Sequence, residues 1–322
     1  MNAHTTDPPG PPTRREVWIR MLLYPRHTLP TAAAPVAVAL GLAVSHDVAA
    51  PGPAIAALLA GWFVQLGGVF ADNYNNLRRH PDDQEHPAFV RALEAGVITL
   101  ATLRRAVWAA YAAGMVAGLY LVWVGGVPAF LIGVASILAS LAYSSDPFPL
   151  GDRALGDPLF FVFFGVVSVV GTYYVQAASV LGPPLPLVPP AGSLPGVAFV
   201  VSLPVAALTT NILVIDNIRD RLFDIEKNEI TLAVVLGETW SRVEYLFLLT
   251  LAYAVPVAMW MRGASVAVLL PLLTLPYGVV VARRVWVRRG YEPLIPMTPQ
   301  AGQVVLAFSL LFGLGLALRG AG

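Results

Sequence analysis

From Pro158 to Ile215 the sequence reads PLFFVFFGVVSVVGTYYVQAASVLGPPLPLVPPAGSLPGVAFVVSLPVAALTTNILVI, 58 residues without one Asp, Glu, Lys, Arg or His. A helical membrane span takes about 20 apolar residues. The run therefore holds two spans, joined through the uncharged, Pro-rich link Leu181–Gly196. It ends abruptly on Asp216-Asn217-Ile218-Arg219-Asp220, where charge returns. A second charge-free run, Ala106–Ser145, covers 40 residues and suits a helical hairpin turning near Gly125-Gly126.

The rest of the chain follows the same pattern. Only 12% of the 322 residues are charged and 57% are hydrophobic, with a mean hydropathy of +0.69. Soluble domains carry about 25% charged residues, so a soluble enzyme is excluded. Cysteine is absent, which removes disulfides, thiolate metal sites and cysteine nucleophiles. A net charge of +1 gives no reason to expect nucleic acid. None of the five histidines pairs with another at i, i+4, so a zinc-binding helix is not expected.

Nine spans are expected, at 29–46, 52–73, 100–123, 127–143, 158–180, 196–217, 243–261, 264–282 and 299–318. Backbone groups in lipid must be satisfied within the segment, so these are helices, and the alternating pattern of a membrane barrel is absent. The expected fold is an all-α, polytopic membrane protein over residues 17–322. The polar, Pro-rich stretch 1–16 reads as a disordered cytoplasmic tail, not as a cleavable signal. With that tail in the cytoplasm, 18 of the 20 Lys and Arg fall inside and only Arg262 and Arg319 outside, a strong positive-inside bias. The expected location is the cell (inner) membrane.

The acids are not scattered. They gather in Asp72–Glu85, Asp146–Asp157 and Asp216–Glu229, all at cytoplasmic helix ends in this topology. Two of these segments echo each other. Asp72-Asn73-Tyr74-Asn75-Asn76 and Asp216-Asn217-Ile218-Arg219-Asp220 each precede a polar loop and then an Ile-Thr-Leu-Ala tetrapeptide, at Ile98 and at Ile230. The echo suggests two related halves facing one site.

Asp216, Asp220 and Asp224 recur at i, i+4, i+8, a drift of about 40° per step, so they share one helical face. Like charges at that spacing oppose the helix, and a carboxylate near lipid depth costs about 2.5–3.5 kcal/mol. A divalent cation offsets both, and Mg²⁺ takes one or two carboxylates while sharing substrate phosphates. Asn211 and Asn217 add neutral oxygens. Arg219 and the only lysine, Lys227, are placed to grip diphosphate oxygens. The alternative is a solvated helix end with Arg–Asp pairing. In the first cluster, Asp72, Asn73 and Asn76 share one or two adjacent faces, Pro81 stops the helix and Asp82 follows. Arg78 and Arg79 are either phosphate ligands or ordinary positive-inside residues.

These stretches resemble the UbiA superfamily of intramembrane prenyltransferases, and within it the branch that prenylates 1,4-dihydroxy-2-naphthoate in menaquinone synthesis. The resemblance rests on Pro25-Arg26-His27-Thr28-Leu29-Pro30 with Ala34-Pro35-Val36. It rests also on Asn217-Ile218-Arg219-Asp220 with Asp224, Lys227 and Thr231-Leu232-Ala233-Val234. Tyr143, Pro147, Leu155-Gly156-Asp157 and Gly171-Thr172-Tyr173-Tyr174-Val175-Gln176 add to it. The chain departs from the family's first motif: the usual Asn-Asp order is reversed at Asp72-Asn73, and Asn76 stands where a second Asp is usual.

The resemblance implies helices around a central cavity and Mg²⁺ held by Asp72, Asn73, Asn76, Asp82, Asp216, Asp220 and Asp224. The substrates implied are a polyprenyl diphosphate and an aromatic, dihydroxynaphthoate-like acceptor that loses CO₂ on prenylation. Arg26, Arg78, Arg153 and Asn211 are candidate substrate ligands, with Arg219 and Lys227 at the diphosphate. Tyr143 and Tyr173 either stabilise an allylic cation through their ring faces or belong to an interfacial aromatic belt. Four rivals stand beside this reading: another acceptor such as 4-hydroxybenzoate, a terpene cyclase of the same fold, a membrane transporter or channel, and a non-catalytic homologue.

Overall fold

The computed structural model describes residues 12–23, 28–81, 87–147 and 149–318. Among these there is no strand, only an isolated parallel bridge between Arg153 and Ile230. The helices run Arg14–Leu23, Thr28–Ser45, Pro51–Arg79, Pro87–Glu94, Leu100–Ser144, Gly156–Leu181, Gly196–Lys227, Leu232–Met261, Val266–Val287 and Tyr291–Ala317. Seven of them are long and apolar enough to cross a membrane, and Thr28–Ser45 contains a shorter apolar helix. Six of the nine expected spans lie wholly within one of these helices, and 29–46, 264–282 and 299–318 overrun theirs by one or two residues.

Leu100–Ser144 carries two of the spans. At 1.5 Å per residue a straight helix would separate Tyr111 from Ser140 by about 43 Å, yet their hydroxyls lie 2.9 Å apart. The chain reverses at Gly126, whose φ of 60° and ψ of −147° lie in a region open essentially to glycine alone. The link between the Gly156–Leu181 and Gly196–Lys227 helices pins this turn. Leu185 N–H donates to Trp123 O (2.8 Å) and Val127 N–H to Pro186 O (3.0 Å), while Tyr174 Oη donates to Gly125 O (2.7 Å).

Burial sorts the bundle. The apolar window of Gly196–Lys227 is 83% buried, whereas that of Leu100–Ser144 is 17% buried. The first is the axis of the bundle. The second shows lipid a row of exposed apolar side chains, among them Val116, Leu119, Phe130 and Leu131. Lipid tails are as apolar as leucine, so helices associate in a membrane through close packing at small residues. Gly41 and Gly313 form such a contact between the Thr28–Ser45 and Tyr291–Ala317 helices: a Cβ on Gly41 would sit 2.0 Å from Gly313 O, and one on Gly313 2.3 Å from Ala37 O.

Two segments depart from α geometry. Phe160–Val167 is a π-helical turn inside Gly156–Leu181, where the Ser168 hydroxyl donates to Phe163 O (2.7 Å). The Val266–Val287 helix starts as 3₁₀ through Thr274.

The start of the chain differs from expectation. Thr13 and Glu16 form a reciprocal capping box: Thr13 N–H donates to Glu16 Oε2 (2.7 Å) and Glu16 N–H to Thr13 Oγ1 (3.3 Å). The helix they open, Arg14–Leu23, buries Val17 and sets Trp18 edge-on to Phe70 with ring centres 6.0 Å apart. Residues 14–16 are therefore the first turn of a docked helix and not part of a tail; residues 1–11 lie outside the described part.

The Gly41–Gly313 contact leaves no room for a side chain. Gly41→Val is expected to destabilise the bundle by about 1–3 kcal/mol, read as a lower unfolding midpoint in detergent. Gly196→Ala, where an added Cβ meets nothing within 4 Å, leaves the midpoint unchanged.

Candidate active site

One cavity of about 890 Å³ occupies the bundle between the Pro51–Arg79, Leu100–Ser144, Gly156–Leu181 and Gly196–Lys227 helices. Most of its wall is apolar, including Val64, Ile132, Ile137, Phe160, Phe163 and Phe164. Phe160 stacks on Phe164 with centroids 4.4 Å apart and meets the Tyr143 ring at 5.7 Å.

One end is polar. It is built by Asp72, Asn73 and Asn76 from one helix, Asp216, Asn217, Arg219 and Asp220 from another, and Tyr143 and Thr298 from two more. The two motifs that echo each other in sequence thus line one space. The i, i+4, i+8 face holds too. Asp216 and Asp220 reach the large cavity, and Asp224 reaches a smaller polar pocket of about 120 Å³ beside it. Asp72, Asn76, Tyr143 and Asn217 line both spaces.

Arg219 knits the second motif together. Its guanidinium donates to Asp216 Oδ1 (2.5 Å) and to both Asp220 oxygens (2.5 and 2.6 Å). It also lies over the Tyr291 ring at 5.6 Å. Thr298 Oγ1 donates to Asp216 Oδ1 (2.6 Å), bringing in the final helix. Arg–Asp pairing, the bland reading of this face, is therefore real, but it lines a cavity and does not sit on an open surface.

The polar pocket is bounded by Arg79, Asp152, Asp224, Lys227, Glu229 and Thr231 as well as the shared residues. Arg79 pairs with Asp152 (2.6 Å), Thr231 donates to Asp224 (2.8 Å), and Ile230 N–H donates to Asp152 O (2.9 Å). His80 lies 3.6 Å from Glu229. Burial, reinforced by the Asp152 charge, pushes the Glu229 carboxyl up to about 8. It is thus mostly protonated at neutral pH, which lets it share a small pocket with Asp152 and Asp224.

Several expected site residues fall elsewhere. Tyr173 lines neither space. It is buried and meets His46 Nδ1 at 2.7 Å, about 24 Å along its helix from Asp157 at 1.5 Å per residue, so it is not placed to touch an allylic carbon at the acidic end. Asn211 is buried in the Gly196–Lys227 helix but lines neither space. Arg78 pairs with Asp146 on the exposed rim, and Arg153 is exposed in the loop that bridges to Ile230. Arg26 and Asp82 lie outside the described residues.

The structure adds residues that the motifs did not single out as ligands. Asp152, Glu229 and Thr298 lie on three different segments and carry no spacing signal, whereas Arg79, already a candidate phosphate ligand, lines the polar pocket. Asp157 sits behind Asn217.

The oxygen donors fit a magnesium ion. Among the described residues no three acidic or histidine side chains form a ready-made cation cage. Asp216 with Asp220, and Asp72 with Asn73 and Asn76, are instead incomplete oxygen sets opening on one cavity. That suits an ion which takes one or two carboxylates and completes its shell with water and phosphate oxygens.

Comparison with known proteins agrees. Over 291 residues the chain is 29% identical to 1,4-dihydroxy-2-naphthoate octaprenyltransferase of Mycobacterium tuberculosis (strain ATCC 25618 / H37Rv), covering 90% of this chain and 94% of that protein. It is 30% identical to the Escherichia coli (strain K12) protein of the same name, covering 95% and 96%. The fold matches a UbiA homolog from Aeropyrum pernix K1 with a TM-score of 0.66 at 19% identity, over 90% of this chain and 96% of that one. It also matches a UbiA homolog from Archaeoglobus fulgidus bound to GPP and Mg²⁺, with a TM-score of 0.59 at 15% identity, over 91% and 98%. Residues 29–294, which span both acidic motifs and nearly all of the bundle, match the UbiA prenyltransferase family, and the chain belongs to that family as a membrane-embedded prenyltransferase.

Proposed function

We propose that this enzyme transfers a polyprenyl group from its diphosphate to an aromatic acceptor, 1,4-dihydroxy-2-naphthoate, giving demethylmenaquinol, the reduced form of demethylmenaquinone, with release of CO₂ and diphosphate. The observation that carries the reading is the single cavity with two chemistries. Its apolar length suits an isoprenoid chain, and its far end gathers acids and amides from both motifs beside Arg219. The naphthoate acceptor is supported by the names of the relatives that align along almost the whole chain. We place the polar end in the cytoplasm, because 18 of 20 basic residues fall on that side of the spans.

Mg²⁺ bound by Asp72, Asn73, Asn76, Asp216 and Asp220 would neutralise the leaving diphosphate. The protein's own groups do the rest. Arg219, fixed by Asp216 and Asp220, lines the cavity and holds its positive charge beside the phosphate oxygens. Lys227 and Arg79 line the adjoining pocket and face the same anion. The apolar wall excludes water, which protects the allylic cation from hydrolysis as the C–O bond breaks. The Tyr143 ring, half-buried between the two spaces and packed on Phe160, stabilises that cation. The acceptor ring carbon then bonds to the prenyl carbon. Its C–carboxylate bond breaks, and those electrons restore the aromatic ring as CO₂ leaves.

The deciding assay uses membranes with Mg²⁺, a labelled prenyl diphosphate and a panel of acceptors. Demethylmenaquinol from dihydroxynaphthoate is expected, recovered as the quinone after oxidation in air. Product only with 4-hydroxybenzoate, or a cyclised terpene alone, overturns the acceptor. Solute flux in proteoliposomes without diphosphate turnover overturns the enzyme reading for a transporter.

Asp220→Ala is expected to lower kcat/KM by on the order of 10²–10³-fold, as for loss of a group that stabilises transition-state charge. Asn76→Asp, which restores the acid usual in the family, preserves or raises the rate. Full activity in Asp220→Ala rules out the role given to that face. At Tyr143, a cation–π contact is worth about 0.5–2 kcal/mol. Tyr143→Phe therefore keeps kcat close to wild type, and Tyr143→Leu lowers it up to about thirtyfold. Equal loss in both variants would assign the role to the hydroxyl instead.

A further inference from the structure

Asp157 stands in the first turn of the Gly156–Leu181 helix and is 4% exposed. Among the described residues no Lys, Arg or His pairs with it. A buried carboxylate without a cation is costly, and two features stabilise this one. The first is the helix N-terminus on which it sits. The second is the Asn217 side chain, whose Nδ2 donates to both carboxylate oxygens at 3.3 and 3.4 Å.

Asn217 occupies a pivotal position. It follows Asp216 and precedes Asp220 by three residues, and it lines both the large cavity and the polar pocket. Its amide nitrogen is committed to Asp157, so its Oδ1 is the polar atom left for the cavity side, and no protein donor reaches that oxygen among the described residues. The amide is planar, with oxygen and nitrogen on opposite edges. Fixing the nitrogen therefore fixes where the oxygen points. The negative charge behind it also polarises the amide and strengthens the oxygen as a ligand.

We propose that Asp157 is a positioning residue: its carboxylate locks the Asn217 amide so that the Asn217 carbonyl oxygen faces the divalent cation of the prenyl diphosphate. This rests on the diphosphate reading above. It assigns a role to a residue that itself lines neither space. Carboxylates that orient a ligand from behind typically set 10–100-fold in metal affinity.

The test measures Mn²⁺ binding by electron paramagnetic resonance on detergent-purified protein with inorganic diphosphate, without turnover, alongside kcat and KM. Asp157→Leu is expected to raise the Mn²⁺ dissociation constant by about 10–100-fold, while its melting midpoint in detergent stays at or above that of wild type. Asp157→Asn keeps an acceptor for the Asn217 amide and is expected to stay within about tenfold of wild type, at the lower edge of that range. In an Asn217→Ala background, Asp157→Leu changes Mn²⁺ binding no further. Unchanged Mn²⁺ binding in Asp157→Leu, or effects of the two substitutions that simply add, overturns the proposal. Should Asp157→Leu fail to fold, Asp157→Ser replaces it with the same expectations. Asp220→Ala separates the two readings. If it abolishes Mn²⁺–diphosphate binding while Asp157→Leu does not, only the role of Asp157 fails. If Asp220→Ala also binds normally, the diphosphate site itself fails.

Discussion

The constraint on which this structure depends is electrostatic. Carboxylates at the end of an apolar bundle must be neutralised where solvent contributes little. Asp216 and Asp220 meet it through one guanidinium, with Arg219 donating to both. That fork fixes the last turns of the central helix, and Thr298 on Asp216 ties the final helix to the same point. Arg79 on Asp152 does the equivalent for the Pro51–Arg79 helix and the loop before Gly156. The acidic end is thus held rigidly by its own charges, and any anion that enters meets oriented cations. The price of that order is a set of acids too close together to stay stable without cations.

Packing supplies the second condition. Hydrocarbon offers no hydrophobic drive between helices, so the bundle relies on close approach. Gly41 against Gly313 brings two backbones into contact. Gly165 lies against Ala206 in the same way, and it does so inside the π-helical turn that carries Phe160, Phe163 and Phe164 to the cavity wall. The stacked Phe160–Phe164 pair and Tyr143 then form one aromatic edge of the cavity. The elements that hold the bundle together are therefore the ones that shape its interior.

How much of this could be read from sequence follows from the kind of signal each part carries. Spans are legible because charge is excluded from hydrocarbon, and a 58-residue run without charge admits few interpretations. The Asp216 face is legible because its members lie on one helix at a fixed period. Tyr173 and Asn211 lie near motif residues in sequence yet line neither space: Tyr173 meets His46 at the far end of its helix, and Asn211 is buried within the central helix. Thr298, Asp152 and Glu229 are not legible as ligands, because each reaches the site from a different segment and only folding brings them together. The departure at Asn76 looked like a weakened motif. In the fold, Asn76 still lines both spaces, so the substitution changes charge and leaves position intact.

The arrangement of the two spaces bears directly on the chemistry. A prenyl diphosphate has a long apolar tail and a short, highly charged head, and an aromatic acid has the reverse balance in a small volume. The large cavity is mostly apolar and the adjoining pocket is small and polar, and they share Asp72, Asn76, Tyr143 and Asn217. On the proposed function, the shared wall is where the charged head of the prenyl diphosphate lies, with its tail in the apolar cavity and the cations of the polar pocket beside it. The pocket's balance also matters: Arg79 and Lys227 stand among Asp152, Asp224 and a Glu229 held mostly protonated. Protonation of Glu229 removes one of the negative charges that would repel an anion at this pocket. The net charge of this pocket is thus set less by any single contact than by how many of its acids are ionised.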